Sequence, residues 1–430
     1  MKYCFFALSL AVTMSVSLSA QTLYFPPLTG STWQTVTPQS LGWCQDRLDT
    51  LVNFVESTHG KGFIILKGGK IVVEEYFGTF TQDSLWYWAS AAKSLVGFMT
   101  GMANEDGYFD LDEPTSEYLG TGWSSLSPEK EALVTIRNQI TMTTGLNDAV
   151  ADPDCISPSC LTYLADAGTR WAYHNAPYLL MHDVIANASG QTFQQFTNQQ
   201  VKSQIGMSTG TWVGQLFFSK TRDMARFGLL NLAEGNWNGN QLLADANYLY
   251  DMKHTSNDYN LSYGYLWWLN GQSSFMLPQT QFVFNTSLVS TAPADMYAAL
   301  GKNDQKIYVV PSLDMVVVRM GNAANESVFA VTSFDTQLWQ RISALECGTS
   351  DTEQPTSGLA NLSPNPTNGL VNITLNTQAA DADITFLNTS GQVCLHTKSL
   401  ENDISALPSG IYFVKIIANN RTETLRLVKN

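Results

Sequence analysis

Apolar positions repeat with two different periods along the first hundred residues, and each period predicts one kind of element. Apolar side chains recur every three or four positions between Pro38 and Val55, which predicts an amphipathic helix. Two short apolar runs, Phe63–Leu66 and Ile71–Val73, flank Gly68-Gly69 and predict a β-hairpin with a two-residue glycine turn. The apolar positions from Leu95 to Met102 again have helical spacing. The pattern therefore predicts a helix, a β-hairpin and a second helix in this part of the chain.

A second set of strands follows a long helical stretch. Residues from about 100 to 257 have helical patterns and long loops, and three strands are then predicted at Met296–Leu300, Ile307–Val310 and Met315–Val318. A final amphipathic helix is predicted from Thr332 to Leu345. This order indicates an α/β fold with α-β-α layers around an antiparallel sheet, interrupted by a helical insertion lobe. We expect both terminal helices on one sheet face and a site between the lobes.

The composition changes near Gly348, where a polar segment with a proline predicts a linker over residues 349–357. Short segments of alternating polarity follow, and their regular spacing predicts a small all-β sandwich over residues 358–430. The predicted strands are Val371–Leu375, Ile384–Leu387, Ile411–Ile416 and Thr424–Val428. We expect this domain to fold independently of the domain at residues 21–348.

Residues 1–20 have the pattern of an export signal peptide. Lys2 precedes an apolar run from Cys4 to Val16, and small residues follow at a cleavage site after Ser19 or Ala20. The apolar run is too short to span a membrane, and no later run is long enough. The pattern predicts an exported protein without a transmembrane segment.

Composition narrows the function. The formal net charge of −14 argues against a nucleic-acid partner. Only 14% of residues are charged, whereas 44% are hydrophobic and 11 are tryptophan, which favours a large core and an aromatic-lined cleft. The cysteines and the five histidines lack metal-ligand spacing, so we expect no zinc site.

Export permits disulfides, and two pairs of cysteines are candidates. Cys155 and Cys160 are close in sequence, with a proline in the loop between them. Cys44 and Cys347 lie near the two ends of the first domain, where helices packed on one sheet face would bring them together. Cys394 is left over in the C-terminal domain.

The segment from Ser90 to Lys93 carries a candidate nucleophile and a candidate base. Residues three apart share a helix face, so the Lys93 amine can reach the Ser90 hydroxyl. A serine becomes nucleophilic when a neighbour takes its proton, and desolvation can lower a lysine pKa enough for that role. The alternative is an ordinary helix start, since this four-residue pattern also recurs by chance.

Two further segments add candidate chemistry. Tyr173 can shuttle protons if a nearby ammonium lowers the pKa of its phenol, and Asn175 offers a donor and an acceptor to a substrate amide or ester. Gly301 ends a predicted strand, where substrate can lie against the strand edge and the N–H of Lys302 can complete an oxyanion hole. Each segment also has a structural interpretation, a loop for the first and a β-turn for the second.

Taken together, these elements resemble the class C β-lactamase and D-alanyl-D-alanine peptidase superfamily of serine hydrolases. Ser90-x-x-Lys93 is similar to the first motif and Tyr173-x-Asn175 to the second, and the segments 135–146 and 219–228 resemble flanking family segments. The resemblance covers roughly residues 38 to 346 and is strongest to the esterase and 6-aminohexanoate-oligomer hydrolase branches.

The third motif departs from the family pattern. Penicillin-recognising members carry Lys or His, then Thr or Ser, then Gly, whereas this chain has Ala299-Leu300-Gly301. The cation and hydroxyl that hold a β-lactam carboxylate are therefore missing, while the glycine remains. Lys302 lies next to the motif, but it faces the other way along the strand. We expect the hydrolytic chemistry to be kept and penicillins to be poor substrates.

The C-terminal domain resembles the type A sorting domain of the type IX secretion system. The resemblance rests on the segments 362–369 and 407–415 and on the terminal Val-Lys-Asn. It implies a double-membraned bacterial host, passage through the periplasm to the cell surface or medium, and the type IX secretion machinery as a partner. The alternative is a carbohydrate-binding sandwich, for which few aromatic residues are present.

The sequence thus predicts a secreted serine hydrolase that cleaves an ester or amide bond through an acyl-enzyme. The catalytic residues are Ser90, Lys93 and Tyr173, with Lys93 and Tyr173 together taking and returning the proton. The substrate-binding residues are Asn175, Gly301 and Lys302, and no metal or organic cofactor is needed. The alternatives are a true β-lactamase or D-alanyl-D-alanine carboxypeptidase, and a non-catalytic surface-binding protein that retains a penicillin-binding fold.

Overall fold

A computed structural model describes residues 23–324, 331–347, 359–376, 382–389, 391–419 and 421–430. The predicted signal peptide at residues 1–20 and the predicted linker at residues 349–357 lie outside the described residues. In the described ranges, no helix is long and apolar enough to cross a membrane.

The helices fall mainly between the two groups of strands, as the sequence predicted. They are α1 Gln45–Ser57, α2 Ala92–Glu105, α3 Ser116–Leu119, α4 Pro128–Glu131, α5 Ile136–Ile140, α6 Asn175–Ser189, α7 Phe193–Phe196, α8 Thr221–Leu232, α9 Ala246–Met252 and α10 Ser333–Ser343. Short 3₁₀ turns occupy Pro38–Leu41, Ala89–Ala91, Pro158–Cys160, Lys302–Asp304 and Pro311–Leu313, and Thr197–Lys202 is a π-helical segment.

The strands belong to one large sheet and several small ones. They are β1 Gly60–Lys67, β2 Lys70–Tyr76, β3 Trp86–Tyr87, β4 Thr211–Val213, β5 Leu216–Ser219, β6 Asn236–Trp237, β7 Asn240–Gln241, β8 Trp268–Leu269, β9 Phe275–Met276, β10 Val283–Phe284, β11 Tyr297–Gly301, β12 Gln305–Val310, β13 Met315–Gly321, β14 Ala360–Ser363, β15 Leu370–Leu375, β16 Asp383–Leu387, β17 Val393–Thr397, β18 Glu401–Asp403, β19 Gly410–Ala418 and β20 Arg421–Lys429.

The main sheet has six antiparallel strands in the order β2-β1-β13-β12-β11-β8. Its two halves come from opposite ends of the first domain, and Ile64 of β1 pairs with Val318 of β13 at their junction. The predicted glycine turn joins β1 to β2, with Gly68 and Gly69 both at positive φ. These angles suit a turn whose twist matches the flanking strands. The predicted antiparallel sheet with a helical insertion is confirmed.

The terminal helices cover one face of this sheet, and α8 packs against the other. The ring of Phe54 in α1 stacks on Phe334 in α10 at 5.5 Å, which joins the two ends of the region. The predicted helix from Pro38 to Val55 is wrong in its bounds. Gly42 adopts a left-handed conformation with φ 74° and ends the 3₁₀ turn, so α1 begins only at Gln45.

Two disulfides and one free cysteine occur among the described residues. Cys44 and Cys347 are bonded across a sequence separation of 303, with their Cα atoms 5.0 Å apart. Cys155 and Cys160 are bonded with a Cα separation of 6.0 Å. Both pairings agree with the sequence prediction, and Cys394 is free.

The C-terminal region is a small sandwich of two antiparallel sheets, in the orders β14-β15-β18 and β17-β16-β19-β20. Four of these strands were predicted, whereas β14, β17 and β18 were not. The sandwich has its own core, and it also contacts the first domain. The ring of Phe413 lies 4.5 Å from the ring of Phe284, beside a cavity of about 330 Å³.

Candidate active site

Ser90 lies on a short, tightly held turn that leads into α2. The preceding residue, Ala89, has φ 47°, a left-handed conformation that a residue with a Cβ atom adopts at a cost of about 1–3 kcal/mol. Trp88 fixes the start of the turn, because its indole donates to Ser219 Oγ at 2.7 Å and its backbone N–H donates to the Phe217 carbonyl at 2.8 Å. The turn therefore presents a half-buried serine in one defined position.

Lys93 is buried beside Ser90, as the spacing of the two residues predicted. Its Nζ atom lies 2.8 Å from Ser90 Oγ, and its side chain is 2% exposed. Burial lowers the pKa of Lys93 to about 7, against the opposing pull of the Asp154 carboxylate. In a large fraction of the molecules, Lys93 is therefore uncharged at neutral pH, and an uncharged amine can accept a proton.

Tyr173 faces the same lysine, whose Nζ atom lies 4.9 Å from the centre of the tyrosine ring. The expectation of a lowered phenol pKa is wrong. Burial raises the pKa of Tyr173, and the nearby Ser90 hydroxyl only partly opposes that effect. Because Lys93 is only partly protonated near pH 7, it does not supply the full ammonium charge that the prediction from sequence assumed.

Asn175 is the first residue of α6, and its amide bridges two groups. Its Oδ1 atom accepts from Lys93 Nζ at 2.8 Å, and its Nδ2 atom donates to Asp154 Oδ1 at 2.6 Å. From the sequence, both ends of this amide were expected to bind substrate. Here the oxygen and one of the two N–H groups are used within the protein, which leaves one N–H for a ligand.

Gly301 ends β11 directly against the turn that carries Ser90. A Cβ atom at this position would lie 2.5 Å from the Trp88 carbonyl oxygen and 2.9 Å from the Ala91 nitrogen. Glycine is therefore required for the close approach of the strand to the turn, a reason that the sequence argument did not give. The exposed Lys302 begins the 3₁₀ turn that follows, so the candidate donors at Ser90 and Lys302 belong to adjoining segments.

A cluster of aromatic rings packs against the ring of Tyr173. Its ring stacks on Trp268 at 5.6 Å and meets Tyr263 edge-on at 6.1 Å. Trp171 completes the cluster at 5.4 Å from Tyr263. Trp171, Tyr263 and Trp268 are at most 2% exposed, so they belong to the core rather than to the aromatic cleft lining expected from composition. Their packing desolvates the phenol of Tyr173.

Two site residues were missed by the sequence argument. Asp154 lies in the proline- and cysteine-rich loop, next to Cys155, and only the fold brings it to Asn175. Tyr178 lies on α6 with its ring centre 4.0 Å from Lys93 Nζ. Tyr178 follows Asn175 by three residues, so a shared helix face was a signal that could have found it.

A cavity does not by itself mark the candidate site. A cavity of about 570 Å³ lies between α1 and β2 and contains none of the predicted site residues. Convergent polar groups, rather than a cavity, distinguish the surroundings of Ser90.

Comparison with known proteins identifies two family domains in this chain. The beta-lactamase family profile matches residues 49–335, and the secretion system C-terminal sorting domain profile matches residues 361–430. An uncharacterized protein of Alkalihalophilus pseudofirmus is 24% identical over 305 residues, 61% of this chain and 84% of the relative. The 6-aminohexanoate-dimer hydrolase of Paenarthrobacter ureafaciens is 28% identical over 107 residues, 25% of this chain and 27% of that enzyme.

Solved structures share the fold. A Bacillus anthracis protein provisionally assigned as a 6-aminohexanoate-dimer hydrolase superposes with a TM-score of 0.57 at 19% identity, covering 73% of this chain and 87% of that one. A penicillin-binding protein homologue from Caulobacter crescentus gives 0.54 at 13% identity, covering 70% and 98%. The sorting domain indicates a secreted or cell-surface protein. The chain belongs to the beta-lactamase family and ends in a type IX secretion sorting domain.

Proposed function

We propose that this protein is a serine hydrolase that cleaves an ester or amide bond through an acyl-enzyme on Ser90. One observation carries the proposal: a buried lysine with a pKa of about 7 lies 2.8 Å from the serine hydroxyl. A general base is most effective when its pKa is near the working pH and it is within hydrogen-bond reach of the proton. Lys93 meets both conditions.

In the first step, Ser90 Oγ attacks the substrate carbonyl carbon while Lys93 takes the hydroxyl proton. The tetrahedral oxyanion is held by the backbone N–H groups of Ser90 and Lys302. As the intermediate collapses, the bond to the alcohol or amine breaks and that group leaves with the proton from Lys93. The raised pKa of Tyr173 keeps its phenol protonated, so it serves as a hydrogen-bond donor and proton relay rather than as the primary base.

In the second step, water replaces the leaving group. Lys93 takes a proton from water as the oxygen attacks the acyl carbon, and the proton then returns to Ser90 Oγ as the acid is released. Asn175 keeps one amide N–H available to orient the substrate. These steps use residues of this chain alone.

Uncharged acyl groups are the favoured substrates. Ala299 lies fully buried in β11, where penicillin-recognising relatives carry a cation, so this position offers no charge to a substrate carboxylate. Exposed apolar side chains also occur on the neighbouring β4–β5 hairpin, where Val213 is paired with Leu216. The same observations make a β-lactamase or carboxypeptidase activity the less supported alternative.

A non-catalytic binding protein is also less supported. Burying a lysine among neutral partners lowers the stability of the folded state. A protein that only binds its ligand gains nothing from that cost, whereas a hydrolase requires the base.

The test is covalent labelling. Intact-mass measurement after treatment with a fluorophosphonate should show one adduct on the wild-type protein and none on Ser90→Ala. Short-chain p-nitrophenyl esters should be hydrolysed by the wild type, with turnover lower by several orders of magnitude for Ser90→Ala. Exposed Ser125→Ala is the matched control and should be labelled like the wild type. Labelling that persists on Ser90→Ala would contradict the proposal.

A further inference from the structure

We propose that Asp154 is a positioning residue of this site, which acts on Lys93 through Asn175 and is itself held in place by the Cys155–Cys160 disulfide. The inference rests on the proposed function, since it concerns the efficiency of the same base. It also gives the disulfide-closed loop a role in the chemistry beyond covering the cleft.

The hydrogen bonds to Asn175 are directional. The carboxylate of Asp154 accepts from Nδ2 at 2.6 Å, so the opposite end of the amide, Oδ1, must point to Lys93 Nζ at 2.8 Å. A flipped amide would place its oxygen against the carboxylate, where two acceptors repel each other. Asp154 thereby selects one of the two amide orientations and fixes the position of the amine.

The loop that carries Asp154 depends on local ties. The Cys155–Cys160 bond closes it immediately after Asp154. Gln215 on the β4–β5 hairpin donates to the Asp154 carbonyl at 3.0 Å, and Asp152 Oδ1 accepts from the Asp154 backbone N–H at 3.0 Å. Each tie restrains the backbone of Asp154, and the disulfide is the covalent one.

Asp154 also acts electrostatically on the lysine. Its negative charge favours the protonated form of Lys93 and partly offsets the effect of burial. The other titratable groups that face Lys93 are Tyr173, His174 and Tyr178. Burial raises the pKa of both phenols and lowers that of His174 to about 4, so these three groups are neutral near pH 7. The Arg170–Asp148 ion pair lies behind His174 and largely cancels itself.

Two substitutions separate position from charge. Asp154→Asn keeps an oxygen that can accept from Asn175 but removes the charge, so Lys93 should lose its proton at lower pH. Asp154→Ala removes the acceptor as well, which frees the Asn175 amide to rotate. Asp258→Asn, on an exposed loop, changes the net charge equally and is the matched control.

The measurement is the second-order rate of fluorophosphonate labelling at Ser90 as a function of pH. For Asp154→Asn we expect the acid limb of the profile to move to lower pH, with the plateau within about threefold of the wild type. For Asp154→Ala we expect the plateau to fall by about tenfold, the loss of one charge-assisted hydrogen bond. Asp258→Asn should match the wild type in both respects.

The disulfide is tested by the double variant Cys155→Ser/Cys160→Ser. The plateau of this variant should fall. Adding Asp154→Ala should lower the plateau by less than the product of the two separate effects, because the disulfide and Asp154 both act by holding the Asn175 amide in place. An unmoved acid limb in Asp154→Asn, together with an Asp154→Ala plateau within twofold of the wild type, overturns this inference. Absence of labelling on the wild type would instead overturn the proposed function.

Discussion

Two buried lysines in the catalytic domain have opposite surroundings. Lys93 in α2 has neutral hydrogen-bond partners, Ser90 Oγ and Asn175 Oδ1, each at 2.8 Å. Lys306 in β12 is fully buried between two carboxylates, with Nζ 2.9 Å from Asp335 Oδ1 and 3.2 Å from Asp304 Oδ1. Both side chains are removed from water, but only Lys306 has fixed negative charges at contact distance.

The two carboxylates beside Lys306 each accept a further hydrogen bond. Tyr308 donates its hydroxyl to Asp335 at 2.5 Å, and Thr332 donates to Asp304 at 2.9 Å. Although burial opposes it, the Lys306 ammonium keeps the pKa of Asp304 below its usual value. The surroundings of Lys93 differ from those of Lys306, because desolvation among neutral groups lowers the pKa of Lys93.

The difference shows that burial alone does not decide what a lysine does. A lysine in contact with two carboxylates joins β12 to α10, whereas one among neutral groups can exchange its proton. The groups in contact with Nζ distinguish Lys306, which has a structural role, from Lys93, the proposed base.

Replacing each lysine by methionine should separate activity from stability. For Lys93→Met we expect ester turnover to fall by roughly three orders of magnitude, because the general base is lost, while the protein still folds. Turnover of p-nitrophenyl esters and the circular dichroism spectrum check both statements. Lys130→Met, at an exposed ion pair, is the control and should retain full turnover. Turnover of Lys93→Met within tenfold of the wild type would remove Lys93 as the base.

Lys306→Met should show the reverse. Two buried carboxylates lose their partner, so we expect the free energy of unfolding to fall by about 3–5 kcal/mol. Urea denaturation measures this loss, and the molecules that remain folded should still be labelled at Ser90. A loss below 1 kcal/mol would mean that the Lys306 cluster does not hold β12 to α10.

The pH dependence sharpens the contrast. Because Lys93 acts when neutral and its pKa is about 7, the labelling rate should fall about tenfold per pH unit below pH 7 and level off above it. The folded-state pKa lies below the unfolded one, so the unfolded chain binds more protons between about pH 7 and 10.5. Lys93→Met should therefore stabilise the protein more at pH 6 than at pH 9. Equal gains at both pH values would contradict the lowered pKa.

The neutral state of Lys93 also bears on substrate choice. A charged hydrogen bond to a substrate carboxylate contributes about 1.5–3 kcal/mol, and neither Ala299 nor a neutral Lys93 supplies one. We expect kcat/KM to be higher for p-nitrophenyl butyrate than for the carboxylate-bearing nitrocefin. Nitrocefin favoured by about tenfold or more would show that another cation, with exposed Lys302 the first candidate, reaches the substrate.

The smallest effect on activity is expected from removing the C-terminal domain. Its Phe413 ring contacts Phe282 and Phe284, and its Arg426 interacts electrostatically with Asp304. The partners described above for Ser90, Lys93 and Tyr173 all belong to the first domain. A protein ending at Gly348 should therefore be labelled at Ser90 within twofold of the full-length rate. Its unfolding should occur at a slightly lower urea concentration. A large loss of labelling in the folded shortened protein would mean that the sandwich shapes the substrate site.

Local patterns predicted the parts of the molecule that depend on near neighbours. The Gly68-Gly69 turn and the shared face of Ser90 and Lys93 follow from backbone geometry over two to four residues. The break at Gly42 was missed because the apolar spacing continues across it, although a glycine can take the left-handed conformation that ends a helical turn.

The rest of the candidate site depends on tertiary structure. The pKa of Tyr173 was predicted in the wrong direction because its desolvation comes from Trp268 and Tyr263, which lie about ninety residues away in sequence. Asp154 reaches Asn175 through a loop whose course no periodicity describes. The unpredicted strands β14, β17 and β18 are short, three to five residues each, and carry little alternation.

The Cys44–Cys347 bond has a mechanical consequence. It ties the start of α1 to the chain just beyond α10, and Arg47 adds hydrogen bonds to the Ala344 and Glu346 carbonyls. A pull applied through the C-terminal domain reaches this crosslink before it reaches the sheet. The tension is therefore divided between α1 and α10, so neither end of the domain carries alone the load that the C-terminal domain transmits.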